Sequence, residues 1–237
     1  MIEGINIFLP TRERPKRLVK FLDSMHATTQ DPDRLHVVFL VDAGDRHSVG
    51  VINEHCKCEH QTLLNLITPP HLAKFYNRCF TETSRSGDEW AVSMFGDDMV
   101  FVSDGWDTRF RETLNRCDGK AIVFGDDDYL QHGRLPVHLV TSRALVKATK
   151  RPFMCERFRA DMIDTLWREV GRKAGLLKYL PDVHIRHEHN GQLLPAHRDK
   201  TFQRLQAVKP ARKEAYTQIE KISNAIVANL KESGYVN

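Results

Sequence analysis

The most concentrated chemistry in the chain is a pair of adjacent carboxylates, Asp97 and Asp98, in Met94-Phe95-Gly96-Asp97-Asp98-Met99-Val100-Phe101. Acids that end a buried strand are costly to desolvate, and a divalent cation offsets that cost. The plain alternative is a capped turn, because Asp is a common turn residue. A second group, Pro10-Thr11-Arg12-Glu13-Arg14-Pro15, sets a hydroxyl and two guanidiniums just ahead of a helix start. That combination suits phosphate or nucleotide oxygens, or else forms a solvated turn. Val41-Asp42-Ala43-Gly44-Asp45 offers acceptors to a base or ribose. His55-Cys56-Lys57-Cys58-Glu59-His60 packs soft ligands closely, yet it lacks the Cys-x₂₋₄-Cys spacing and the second pair that structural zinc uses.

These groups need elements to place them. Ile5 to Leu9 reads as a buried strand ended by Pro10, and Val37 to Val41 as a second. Between them a helix runs from Pro15, with Leu18, Phe21, Leu22 and Met25 on one stripe. Leu63 to Ile67 reads as a third strand, followed by a helical stripe of Leu72, Phe75, Tyr76, Cys79 and Phe80. Trp90 to Phe95 and Lys120 to Phe124 are further strands. Ile163, Leu166, Trp167, Val170 and Ala174 define a helix over roughly 158–174, Val183 to His187 a short strand, and Ala215 to Leu230 a C-terminal helix. Strands alternating with helices predict an α/β fold with a largely parallel sheet, whose ligands bind beyond the carboxyl ends of the strands. All three acidic or basic turns above lie at such ends.

Composition narrows the function classes. With 237 residues, 41% of them hydrophobic, the chain can bury a real core, which excludes disorder as its main state. The longest stretch without Asp, Glu, Lys or Arg, His60 to Ala73, is too short and polar to span a membrane. The N-terminal residues show no signal-peptide pattern, and five cysteines fit reduced thiols, so a cytoplasmic setting is expected, the host cytoplasm were the chain viral. The net charge of +4 is uneven. Residues 12–20 and 143–173 are basic, whereas Asp88 to Asp128 holds eleven acids against four bases. An acidic centre with basic flanks points to a metal-dependent site for a phosphorylated or nucleic-acid partner, or to solvated faces.

Ile7-Phe8-Leu9-Pro10-Thr11-Arg12, Val41-Asp42 and Gly96-Asp97-Asp98 together resemble the family-two, GT-A-fold glycosyltransferases. The resemblance covers roughly residues 3–190 and implies a Rossmann-like, mixed but mostly parallel sheet flanked by helices. It implies a catalytic domain over 1–195 and a helical extension over 196–237. By this likeness Pro10, Thr11, Arg12, Arg14 and Asp42 hold the nucleotide of a sugar donor, and Asp97 contacts ribose or sugar. Asp98 ligates Mn²⁺ or Mg²⁺ on the diphosphate. Gly96 stands where many relatives carry the first acid of an Asp-x-Asp motif, which leaves the division of labour between Asp97 and Asp98 open.

The same resemblance implies donor contacts from Lys74 and Asn77, and a metal site completed by His187 or His189. It asks for a base at the start of a helix, Asp164 by preference with Asp161 as the alternative. Trp106 either walls an acceptor pocket or packs in the core, and Asp127 and Asp128 lie toward the acceptor side. The implied activity is inverting, metal-dependent transfer from a nucleotide sugar, UDP-linked as in UDP-glucose, to an acceptor hydroxyl. The small basic chain is similar in build to phage-type enzymes that glycosylate hydroxymethylated bases, which makes a 5-hydroxymethyl pyrimidine in duplex DNA the expected acceptor. A saccharide acceptor, a sugar-nucleotide nucleotidyltransferase and a non-catalytic nucleic-acid-binding protein are the alternatives.

Overall fold

The computed structural model describes residues 1–66, 71–129, 131–158, 162–188 and 212–236. Its strands are β1 (Gly4–Thr11), β2 (Leu35–Asp42), β3 (Glu59–Asn65), β4 (Trp90–Ser93), β5 (Met99–Phe101), β6 (Ile122–Asp126), β7 (Val140–Ser142) and β8 (Leu177–His187). Its helices are α1 (Pro15–Thr28), α2 (Arg46–His55), α3 (Leu72–Glu82), α4 (Trp106–Arg116), α5 (Arg143–Ala148), α6 (Ile163–Ala174) and α7 (Arg212–Glu232). The strands form one sheet in the order β3-β2-β1-β4-β7-β6-β8-β5. Pairing is parallel through β3, β2, β1 and β4 and between β6 and β8, while β7 is antiparallel to both its neighbours and β5 is antiparallel to β8. The mixed, mostly parallel α/β sheet expected from the sequence is therefore the one found.

Both faces of the sheet are covered, which is why β1 and β2 read as unbroken apolar runs. Ile5, Ile7 and Leu9 join Leu18, Phe21, Leu22 and Met25 of α1 and Trp106, Phe110 and Leu114 of α4 in one core cluster. Phe8, Val38 and Leu40 face the other way, toward Phe75, Tyr76 and Cys79 of α3 and Leu166, Trp167 and Val170 of α6. Ala215, Ile219, Ile226 and Leu230 of α7 belong to that second cluster as well. The chain runs β1, β2, β3 outward to one side and then crosses through α3 to place β4 on the other side of β1. That reversal opens a crevice at the carboxyl ends of β1 and β4, the position where open α/β sheets bind ligands.

The structure corrects several expected boundaries. The third strand begins at Glu59 rather than Leu63 and ends at Asn65. It is an edge strand with only Leu63 and Asn65 buried, so most of it carries no apolar signal. The helix expected from 158 starts at Ile163, behind Met162 in the left-handed region (φ 71°). The strand expected over 183–187 extends back to Leu177 through Pro181, with a register shift between Gly125 and Asp126 on its partner β6. No helix among the described residues is long and apolar enough to cross a membrane.

Candidate active site

The crevice between β1 and β4 is an open cleft of about 690 Å³, solvent at its mouth included. It is lined by Pro10, Thr11, Arg12, Arg14, Asp42, Leu72, Phe75, Tyr76, Gly96, Asp97 and Asp98. Three strand ends deliver the polar groups: β1 brings Thr11 and the arginines behind it, β2 brings Asp42, and the turn between β4 and β5 brings the paired acids. One wall is apolar. Leu72, Phe75 and Tyr76 share a face of α3 at i, i+3 and i+4.

The polar groups already hold one another. Arg12 donates to Asp42 Oδ1 at 2.7 Å, and Asn65 at the end of β3 donates to the same oxygen at 2.5 Å. Asp97 accepts from Thr11 Oγ1 and from Arg14, both at 2.9 Å. The Arg14 and Asp97 side chains are only 11% and 5% exposed. Burial pushes the Asp97 carboxyl up, beyond what Arg14 and Thr11 pull back. Arg17, one turn into α1, stands 3.8 Å from Asp98, and Lys20 one turn further pairs with Glu188.

Asp98 also faces β8. The pairing of Met99 with His187 brings the imidazole Nε2 to 3.4 Å from Asp98 Oδ1, and the Asp98 carbonyl accepts the Glu188 N–H at 2.8 Å. Burial, the largest influence on His187, lowers its pKa, but Asp98, Asp127 and Asp164 together raise it above the ordinary value. Two ligand atoms at about 2.1 Å from one octahedral cation stand about 3 Å apart, so a shift of a few tenths of an ångström lets Asp98 and His187 share Mn²⁺ or Mg²⁺. The donor set of carboxylate and imidazole fits that group. Asp164 lies in the first turn of α6, accepts the Thr165 N–H at 2.6 Å, and is near enough to His187 and Tyr76 to act on both. Burial first, then Cys79 and the charges of Asp98, Asp97 and Asp164, holds the Tyr76 phenol well above its usual range while it donates to the Phe95 carbonyl at 2.5 Å.

Several expected site residues are placed otherwise. Trp106 is fully buried among Phe95, Phe101 and Phe110, so it packs and does not wall a pocket. Lys74 is exposed on a different face of α3 from the one lining the cleft. Asn77 is committed to Met154, accepting its N–H at 2.6 Å and donating to its carbonyl at 2.9 Å. Neither lines the cleft. Asp127 is buried and caps a turn by accepting the His132 and Gln131 N–H groups, at 2.6 and 3.2 Å. Asp128 accepts from His184 at 2.5 Å. Asp161 and His189 lie outside the described residues.

The basic flanks are also largely spoken for. The 12–20 segment pairs with acids of the cleft, as above. In the 143–173 segment Arg143 is buried against Phe80, Lys147 pairs with Asp88, Lys150 with Glu232, Arg168 and Arg172 with Glu169, and Lys173 with Glu220. The sequence reading missed Tyr76, Phe75 and Leu72 as cleft residues because their helical stripe also reads as plain core. It missed the pairing of Arg17 with Asp98 because that depends on how α1 crosses the β4–β5 turn.

No family model and no curated protein matches the chain in sequence. Solved structures do match. The mannosyltransferase PcManGT of Pyrobaculum calidifontis, in complex with GDP-Man and Mn²⁺, superposes with a TM-score of 0.60 at 13% identity, over 100% of this chain and 76% of that one. S. aureus TarS 1-349 in complex with UDP-GlcNAc gives 0.67 at 10% identity, over 96% of this chain and 66% of TarS. The TarS complex with UDP gives 0.56 at 13% identity, over 77% and 59%. The chain has a glycosyltransferase fold. Sequence identities this low carry the fold alone, and the chain spans less than two thirds of the TarS fragment. Within this glycosyltransferase fold, the cleft at the β1/β4 switch point is the candidate donor site.

Proposed function

We propose that the chain is an inverting, metal-dependent glycosyltransferase that uses a nucleotide-sugar donor. The observation that carries this reading is the convergence, in one cleft at the switch point, of phosphate-type cations, base- or ribose-type acceptors and the Asp98 carboxylate, which has the His187 imidazole 3.4 Å away. Arg12 and Arg14 grip the donor phosphates, Asp42 and Asn65 meet the base, and the apolar wall of Leu72 and Phe75 covers its face. Asp98 and His187 hold the divalent cation, which when bound supplies charge stabilisation at the leaving diphosphate. Asp164 takes the proton from the acceptor hydroxyl as its oxygen attacks the anomeric carbon. Asp97 orients Arg14 and Thr11 rather than reaching the sugar itself.

PcManGT bound to GDP-Man and Mn²⁺, and TarS bound to UDP and UDP-GlcNAc, support a nucleotide-sugar donor for this fold. The finer reading, a UDP-linked hexose passed to a 5-hydroxymethyl pyrimidine in DNA, rests on the basic segments; most described cations of 12–20 and 143–173 pair internally, and the basic stretch from Arg198 to Lys209 lies outside the described residues. The test is nucleoside-diphosphate release from UDP-glucose, UDP-GlcNAc and GDP-mannose with Mn²⁺, alone and with hydroxymethylated DNA, unmodified DNA or simple saccharides. Release with one donor, abolished by EDTA, is the expected result. Formation of nucleoside triphosphate with pyrophosphate instead identifies a nucleotidyltransferase. Transfer to free sugars with none to hydroxymethylated DNA rejects the DNA acceptor.

A further inference from the structure

The short Cys56-Lys57-Cys58 segment lacks a second ligand pair in sequence, and the fold supplies a third ligand from elsewhere. Cys56 caps the C-terminal end of α2, with its N–H on the Ile52 carbonyl at 2.9 Å, and Cys58 immediately precedes β3. His26 comes from the last turn of α1, where its Nε2 accepts the Lys57 N–H at 3.1 Å; that bond holds the ring against the thiol loop and would be given up if Nε2 bound a cation. Ligand atoms of His26, Cys56 and Cys58 all lie within 4.8 Å of one another. The two sulfurs are 3.8 Å apart. Two thiolates bonded at about 2.3 Å to one tetrahedral zinc also stand about 3.8 Å apart, whereas a disulfide would bring the sulfurs to about 2.0 Å.

We propose that His26, Cys56 and Cys58 form a binding site for one thiophilic d¹⁰ cation, Zn²⁺ or Cu⁺, with a fourth position open to solvent. Two thiols and an imidazole are the soft donor set that selects such ions over Mn²⁺ and Mg²⁺. All three residues are partly exposed, so an ion has an entry path. Hydrogen bonding from the Cys58 thiol, and to a smaller extent from His26, pulls the Cys56 thiol down against its burial, the direction that favours the thiolate form. The site is separate from the donor cleft: Arg14 and His26 stand at opposite ends of α1, about 18 Å apart at 1.5 Å per residue. A cation there would fasten the end of α1 to the loop that starts the edge strand β3.

The test uses the full chain, reduced and stripped of metal, titrated with Co²⁺ as a spectroscopic probe. The expected result is one equivalent of Co²⁺ with thiolate-to-metal charge transfer in the near ultraviolet, displaced by one equivalent of Zn²⁺. A parallel competition with a Cu⁺ chelator ranks the two ions. Zinc should protect Cys56 and Cys58 from iodoacetamide in peptide mass spectra. The Cys56→Ser/Cys58→Ser variant should lose the band and His26→Ala should weaken it, each with unchanged circular dichroism and unchanged Mn²⁺-dependent nucleotide binding. Absence of the band in the unmodified chain, an equal band in the double serine variant, or a mass two units low with no metal uptake overturns the proposal.

Discussion

Removing Asp97 tests whether the paired acids have different duties. In Asp97→Ala the Arg14 guanidinium, only 11% exposed, loses its carboxylate and Thr11 Oγ1 loses its acceptor. Breaking a buried ion pair by deleting one partner costs about 3–5 kcal/mol, because the other charge stays buried. The low end applies here, since burial already raises the Asp97 pKa and its removal relieves that desolvation. A loss of about 3 kcal/mol corresponds to roughly 6–12 °C in Tm for a chain of this size. Asp98→Ala should behave oppositely. Its contacts to Arg17, at 3.8 Å and partly exposed, and to His187, at 3.4 Å, are long, and the relieved repulsion of Asp97 offsets them in part, which leaves a loss of about 1 kcal/mol. Urea and thermal unfolding followed by circular dichroism, without metal or nucleotide, measure both. Adding Arg14→Met to Asp97→Ala should recover part of the loss, because the buried guanidinium that lost its Asp97 carboxylate is gone. A loss below about 1 kcal/mol in Asp97→Ala, or an equal loss in Asp98→Ala, refutes the assignment of Asp97 as the anchor of Arg14.

Three further outcomes are expected. Asp164→Asn should keep nucleotide and Mn²⁺ binding by calorimetry while turnover falls by about 10²–10⁴, since an amide cannot accept the acceptor's proton; full activity would move the base elsewhere. His187→Ala should raise the Mn²⁺ concentration for half-maximal activity by at least about tenfold with little effect on nucleotide binding in excess metal, and an unshifted Mn²⁺ curve would remove His187 from the ligand set. His138 is fully buried, accepts the Gly125 N–H at 3.1 Å, and has its pKa lowered to about 3, first by burial and then by His187. Its unfolded value is near 6.5, so stability present above that pH is lost as pH falls toward 3, by roughly 1 kcal/mol per pH unit. Urea unfolding at pH 7.5 and 5.5 should show that slope, and His138→Gln should flatten it.

Much of the cleft was legible because it is built at strand ends. β1 and β2 declare themselves as apolar runs closed by Pro10 and Asp42, and a chain that ends buried strands in charge must use or neutralise that charge. The edge of the sheet was not legible. β3 is solvated along most of its length, so its N-terminal half looks like loop, and β7 is only three residues long. α4 had an available signal in Trp106, Phe110 and Leu114, one residue per turn, but Trp106 at its start attracted a pocket role that its burial rules out. His26 as a neighbour of Cys56 and Cys58 could not be read at all. That meeting is set by how α1 lies against the loop before β3, some thirty residues away along the chain. The same holds for Asp98 and His187, joined only through the antiparallel pairing of β5 with β8.

The cleft described above is an exchange bed. Arg12 sits on Asp42, Arg14 on Asp97 and Arg17 beside Asp98, so each cation stands against an acid. On the proposed function, a divalent ion on Asp98 would draw that acid away from Arg17. A diphosphate entering with the ion would meet the cationic charge so released, next to Arg12 and Arg14. On the function proposed above, donor and metal are thermodynamically tied, and by linkage each tightens the other by the same factor.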